Sequence, residues 1–357
     1  MARKSKNDVT QNQAVPDIRI PIRFEELIGH SEQVRVIGRS LEKGVLSQSL
    51  ILSGPVSVGK TTLARMIGAA LECEAPSPGA WGPGACGPGA CGECGPCRKA
   101  RRKIHPDLRE ITFERNDKDK LRKEIVVDQV RNDVLDPLGL PPYEGKKLVF
   151  IIEPADAMNV NAQNALLKSL EEPPSYVQFL LVTANPAGLL PTIRSRCQEI
   201  TLQPVSGAEM EKALGALGVP GGERELALAM AGGCPGLLDA YRNSALLNQR
   251  AGLVALMEKG LEVAAYPDLD PILESLAKEP PRAVTGLALS LTRDAIRTGL
   301  GLNPRVHGDL RPVLLAAGQA RGLGGLQRLA DRLAEAPGQL THNVNPRLFL
   351  DRMFLVP

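Results

Sequence analysis

Gly54-Pro55-Val56-Ser57-Val58-Gly59-Lys60-Thr61-Thr62 is the stretch that decides how this chain folds. Glycine, four residues, glycine, lysine and threonine form a loop in which backbone N–H groups converge on a β-phosphate. The lysine neutralises β and γ oxygens, and the threonine hydroxyl holds Mg²⁺. Gly54, Pro55, Val58, Gly59, Lys60, Thr61 and Thr62 are therefore the candidate nucleotide contacts. A bare strand-to-helix turn is the competing reading. Context weighs against it, because the loop lies between the apolar run Leu50-Ile51-Leu52 and an amphipathic stretch from Thr61 to Glu72.

Outward from the loop, apolar runs alternate with helical patterns. Lys147-Leu148-Val149-Phe150-Ile151-Ile152 and Val177-Gln178-Phe179-Leu180-Leu181-Val182-Thr183 read as buried strands, with a helix from Asn159 to Glu172 between them. Buried strands separated by helices predict a parallel sheet covered on both faces. Residues up to about Pro21 are polar and broken by prolines, which predicts a loose arm over 1–21. After Pro204 the chain turns Leu- and Ala-rich with helical spacing, which predicts a small helical module over 205–244 and a larger one over 245–357. The expected division is thus an α/β nucleotide-binding domain over 22–204 followed by two all-α parts.

Composition narrows the function. The chain has 43 basic and 40 acidic residues, a formal net charge of +3, too near balance for bulk electrostatic binding of DNA. Aromatics are 3%, which argues against stacking platforms for single strands. No stretch reaches the roughly 18 apolar residues of a membrane span, and the N-terminus lacks an apolar targeting segment. A soluble cytoplasmic protein without membrane contact is expected.

Of 7 cysteines, Cys73, Cys86, Cys91, Cys94 and Cys97 fall close together. In a reducing compartment this clustering predicts metal rather than disulfides. Cys91-x2-Cys94-x2-Cys97 offers three thiolates, and a tetrahedral structural zinc needs a fourth. Cys73, at the end of the loop's helix, loses less entropy when fixed than Cys86, which lies in the Gly-Pro-Ala segment of Pro76 to Pro96. That segment is expected to form a loop. The run Arg98-Lys99-Ala100-Arg101-Arg102-Lys103 reads first as a solvated helix face and second as a phosphate contact.

A hydrolysing phosphate loop also needs an acidic residue at the end of a second buried strand, usually followed by a glutamate that polarises water. Here the strand ends in Glu153-Pro154. Glu153 reaches for the metal's waters, Pro154 offers no base, and Asp156 lies beyond a proline-stiffened bend. Nucleotide binding with little or no turnover follows.

These residues resemble the clamp-loader ATPase family of bacterial DNA polymerase III, of the AAA+ class, over almost the whole chain. Phe24-Glu25-Glu26-Leu27-Ile28-Gly29-His30 is similar to the family's entry motif, and His105-Pro106-Asp107 also matches. The family carries a zinc module of one cysteine followed by Cys-x2-Cys-x2-Cys, which implies Cys73, Cys91, Cys94 and Cys97 as zinc ligands. Its spacing is longer here, and Cys86 is an extra. Most specific are Asn164-Ala165-Leu166-Leu167-Lys168-Ser169-Leu170-Glu171-Glu172-Pro173-Pro174 and Ser195-Arg196-Cys197.

The resemblance implies a small helical lid, an all-α collar, and ATP or ADP with Mg at the loop. It implies that Arg196 acts on nucleotide bound by a neighbouring subunit, against the bland reading of a helix-end arginine in a surface ion pair. It further implies partners among the gamma, tau and delta subunits, the sliding clamp, and primed DNA reached through the complex, within a nucleotidyltransferase holoenzyme. Departures matter too. Motor members end the acidic strand in Asp-Glu, against Glu153-Pro154 here, and carry a sensing arginine after Gly-x-Pro, where Gly233-Cys234-Pro235 is followed by Gly236. Thr183-Ala184-Asn185 occupies the polar sensor position, with Asn185 a candidate nucleotide contact. A non-hydrolysing assembly subunit is the expectation; a gamma- or tau-like motor is the alternative.

Overall fold

The computed structural model describes residues 20–75, 89–115, 122–216, 224, 227–228, 231–238, 249–259, 266–279, 281–339 and 345–354. Five parallel strands form one sheet: β1 (Ser49–Ser53), β2 (Leu108–Ile111), β3 (Leu148–Ile152), β4 (Val177–Thr183) and β5 (Gln198–Thr201). Their spatial order is β2-β3-β4-β1-β5, with Leu52 in register with Val182 on one side and Ile200 on the other. The loop after β1 therefore opens at the carboxyl end of the sheet, where parallel sheets bind ligands.

The two-residue side-chain period of a strand sorts the core into two layers. Leu50, Leu52, Val149, Ile151, Leu180 and Val182 face one layer with Val34, Ile37, Leu63 and Ile67. Those last four come from α1 (Ser31–Glu42) and α2 (Lys60–Glu72). On the other face Ile51, Phe150, Ile152, Phe179 and Leu181 pack with Leu166 and Leu170. Phe150 stacks on Phe179 at 5.5 Å between centroids. The helix beneath them is α5 (Val160–Glu171), capped where Asn159 Oδ1 accepts from Ala162 N at 2.9 Å.

The three strands expected from apolar runs are present, and two more were missed. β2 (Leu-Arg-Glu-Ile) and β5 (Gln-Glu-Ile-Thr) are the sheet's edges. An edge strand exposes polar side chains, so neither shows the continuous apolar run that marks a central parallel strand. A second correction concerns the insertion. Residues 76–88, including Cys86, lie outside the described residues, but its end does not remain a loop: Gly95-Pro96 opens α3 (Gly95–Arg101). Proline fits there because a first-turn N–H has no helical partner to lose.

Beyond Thr201 the described residues are helical. α4 (Val127–Val130) and α6 (Pro191–Arg194) belong to the sheet region, whereas α7 (Gly207–Ala216) packs Met210 and Leu214 around Val205 and Leu238. A separate large core joins α8 (Arg250–Lys259), α9 (Tyr266–Leu276), α10 (Pro281–Gly299), α11 (Arg311–Gln339, broken at Gly322) and α12 (Pro346–Phe354). At its edge, buried Asp294 accepts backbone N–H groups from Arg305, Val306 and His307, each at 2.8 Å. Among the described residues, no helix is long and apolar enough to cross a membrane.

Burial pushes the imidazole of His307 down to about 4, against the opposing pull of Asp294. A depressed histidine contributes stability that is present above its unfolded value near 6.5 and lost as pH falls towards 4. Urea unfolding at pH 7 and pH 5 should show the wild type losing roughly 2 kcal/mol more than His307→Asn over that interval.

Candidate nucleotide and metal sites

The phosphate loop closes on glycine conformations. Gly54 has φ 139°, and a Cβ there would lie 2.2 Å from the Leu202 carbonyl oxygen, so the β5 side of the sheet leaves no space for a side chain. Lys60 is buried, and its Nζ donates to the carbonyls of Gly54 at 2.8 Å and Pro55 at 2.6 Å. His30 supports the loop from below, its Nε2 2.9 Å from Val58 O. That role is not legible in the sequence, because the contact spans 28 residues.

A cavity of about 590 Å³ lies over the loop. Val58, Gly59, Lys60, Thr61, Thr62, Glu153, Pro154 and Thr183 line it, with Pro21, Glu26, Leu27, Ile28 and Pro235 as further walls. Gly54 and Pro55 serve through their carbonyls, and Asn185 is set outside the lining. Thr183 lines the cavity at the end of β4, and its hydroxyl accepts from Asn185 N at 3.0 Å and donates to Asp156 Oδ1 at 2.6 Å.

The acidic strand end is in position. Thr61 Oγ1 donates to Glu153 Oε1, so the hydroxyl that holds Mg²⁺ in such loops faces the β3 carboxylate directly. The following residue, Pro154, lines the cavity without any basic atom. Asp156 is held by Thr183 and does not line the cavity. Gly236, which follows Gly233-Cys234-Pro235, also lines the cavity. Its N–H donates to Ser57 O at 2.9 Å, and a Cβ would lie 3.1 Å from that oxygen. The backbone presses on the loop in place of a side chain.

Arg196 lies between α6 and β5, away from this cavity. Its Nη1 donates to Thr192 O at 3.0 Å and its Nη2 to Glu171 Oε1 at 3.2 Å, and the side chain is 31% exposed. The ion pair of the bland reading is therefore present, inside the same two motifs that carry the resemblance. Both terminal nitrogens are thus engaged while the side chain as a whole stays partly exposed.

Cys73, Cys91, Cys94 and Cys97 present sulfurs that all lie within 4.8 Å of one another. Cys91 Sγ and Cys97 Sγ are 3.9 Å apart, close to the ~3.8 Å edge of a tetrahedron with metal–sulfur bonds of about 2.3 Å. Cys73 caps α2 and Cys94 caps α3, so helix ends carry two of the four. Burial raises Cys73 and Cys97, whereas at Cys91 the upward push of burial is outweighed by N–H donation from Glu93 and Cys94, and the thiol falls to about 7. A sulfur already collecting N–H donors is prepared to be a thiolate ligand. The donor set fits a tetrahedral soft-metal centre, and among the described residues Cys73 is the fourth sulfur of the group.

Four of the five basic residues in the run after the cluster pair within the chain. Arg98 donates to Glu93 O, Lys99 pairs with Glu144, Arg101 with Glu26 at 3.1 Å, and Lys103 with Glu110 at 3.0 Å. A second cluster, Glu72, His105 and Asp107, is buried. It is a loop anchor, because its carboxylates accept the five backbone N–H groups of Tyr143, Glu144, Gly145, Lys146 and Lys147. Asp107 N donates to His105 Nδ1, which leaves the proton on Nε2 and no lone pair there for a metal.

Sheet, loop and cysteine insertion together define a parallel α/β protein with a phosphate-loop motif. A family profile described as DNA polymerase III, delta subunit, matches residues 29–206. DNA polymerase III subunit delta′ of Pseudomonas aeruginosa is 33% identical over 324 residues, covering 87% of this chain and 89% of that protein. The chain belongs to the delta-prime family of DNA polymerase III subunits. It is also similar to the tau subunit of Escherichia coli, 31% identical over 51% of this chain and 26% of that one. A solved gamma subunit-related protein of Thermotoga maritima aligns with 91% of this chain and 97% of that one at 18% identity and TM-score 0.44.

Metal analysis of the purified chain under reducing, chelator-free conditions should give about one ion per chain. Cys73→Ser and Cys91→Ser should lose it, and Cys86→Ser should keep it; retention by Cys73→Ser would make Cys86 the fourth ligand.

Proposed function

We propose that the chain is the assembly subunit of a clamp loader, binding nucleotide without turning it over and lending Arg196 to a neighbour's ATP site. One observation carries this reading: the loop meets a strand end, Glu153-Pro154, that retains the metal-facing acid and lacks the base. ATP or ADP with Mg is the proposed loop ligand. Lys60 and Gly59 would take its phosphates, and Thr61 with Glu153 its metal. Zinc is the proposed ion of the four cysteines and supplies a structural cross-link, no chemistry. The sheet domain over 22–204, the lid over 205–244 and the collar over 245–357 are the proposed parts.

The proposed partners are gamma or tau and delta subunits, joined through the collar; the assembled complex opens the sliding clamp on primed DNA. A planar guanidinium at the interface can stabilise charge on a phosphoryl group in transfer. The partly exposed Arg196 side chain, held away from its own cavity by Thr192 and Glu171, supports that role. The motor alternative needs a base at Asp156, whose carboxylate is already engaged by Thr183.

In the reconstituted complex, Arg196→Ala should lower hydrolysis at the one site it serves by roughly tenfold or more, while Lys60→Ala leaves ATPase within about twofold. Unchanged ATPase with Arg196→Ala sinks the trans-acting arginine. A collapse with Lys60→Ala restores the motor alternative.

A further inference from the structure

The cysteine cluster and the nucleotide cavity share two pieces of chain. The first is α2, whose opening residues Lys60 and Thr61 line the cavity and whose cap is Cys73. The second is the segment from Pro21 to Ile28. Pro21, Glu26, Leu27 and Ile28 line the cavity, yet Ile22 packs into the small core that contains Cys73, Cys97 and Ala100. The same few residues are thus a cavity wall on one side and the cover of the cysteine cluster on the other.

Glu26 joins the two. Its Oε2 accepts from Ile22 N at 2.7 Å and from Arg23 N at 3.0 Å, which fixes the turn that carries the wall. Its Oε1 accepts from Arg101 Nη2 at 3.1 Å. Arg101 is the last residue of α3, which holds Cys97 in its body and Cys94 at its cap. A seven-residue helix is far too short to hold itself in water. Its position depends on the cysteines being tied together, and a bound ion does that.

We infer that the four-cysteine centre braces the nucleotide cavity, and that Arg101 is a positioning residue for nucleotide, acting through Glu26 and the Pro21–Ile28 wall. The inference rests on reading the loop as a nucleotide site. With an ion bound, α3 is fixed and Arg101 holds Glu26 in place. With the cysteines unlinked, α3 and Ile22 lose their common core and the wall loosens. Coupling of this kind is reciprocal, so nucleotide must also tighten the hold on metal.

Fluorescent ADP titrated into the full chain tests this, with metal content measured on each sample. Wild type should bind, and Lys60→Ala should weaken binding strongly. Arg101→Ala should weaken it about three- to fivefold, the worth of one partly exposed ion pair, while keeping its metal; Arg101→Lys should restore part of the loss. Wild type stripped of metal by a chelator under reductant should bind more weakly than Arg101→Ala, and saturating ADP should slow metal release. No binding by wild type would remove the nucleotide reading itself. Wild-type binding that Lys60→Ala abolishes and Arg101→Ala leaves intact overturns the brace, whatever stripping does to the fold.

Discussion

The hydrogen bond from Thr61 to Glu153 ties the first turn of α2 to the carboxyl end of β3, and the nucleotide site depends on it. It forms only because β1 and β3, distant in sequence from each other, are both central strands separated by β4 alone. Parallel order brings their carboxyl ends together, and the loop after β1 then lies against the acid after β3. Lys60, held by the loop's own carbonyls, and Gly236, pressed against Ser57, complete a cradle made largely of backbone. What this geometry omits is equally informative. Beside the acid stands Pro154, and Asp156, the next carboxylate along the chain, is held by Thr183.

A binding site without a base has a physical use. Bound nucleotide adds stability to whatever arrangement of the surrounding parts it contacts, in proportion to its affinity. Here the cavity is walled by the loop, by the Pro21–Ile28 segment and by Pro235-Gly236 from the helical region. An occupied cavity therefore clamps elements that the sequence places far apart. Such a part suits a subunit that sets the shape of an assembly. Arg196, on the opposite side of this logic, is held at the surface by Glu171 and Thr192 and has no partner role in its own cavity. In the proposed assembly, function would be divided between chains: this one would offer the cation, and a neighbour the reacting phosphate.

Much of this was legible in sequence because each signal had a strong local cause. The loop pattern placed Lys60 and Thr61, central strands announced themselves as apolar runs, and Cys91, Cys94 and Cys97 declared their spacing. What escaped notice was non-local. Edge strands β2 and β5 carry mixed residues since only part of their surface is buried. The role of His30 depends on a hydrogen bond spanning 28 residues, and the tie between Arg101 and Glu26 spans 75. The anchor of Glu72 and Asp107 under the loop before β3 is invisible until the turn of α2 and the edge strand meet. Asn185 follows a strand end in sequence, but it is Thr183 that lines the cavity.

In the proposed reading, the residue that follows Glu153 separates binding from turnover in this chain. The direct measurement is to hold the isolated chain saturated with ATP and Mg²⁺, show that nucleotide is bound, and follow phosphate release over many hours. The account predicts bound ATP with phosphate release indistinguishable from buffer. Steady release that stops when Lys60 is replaced would contradict it.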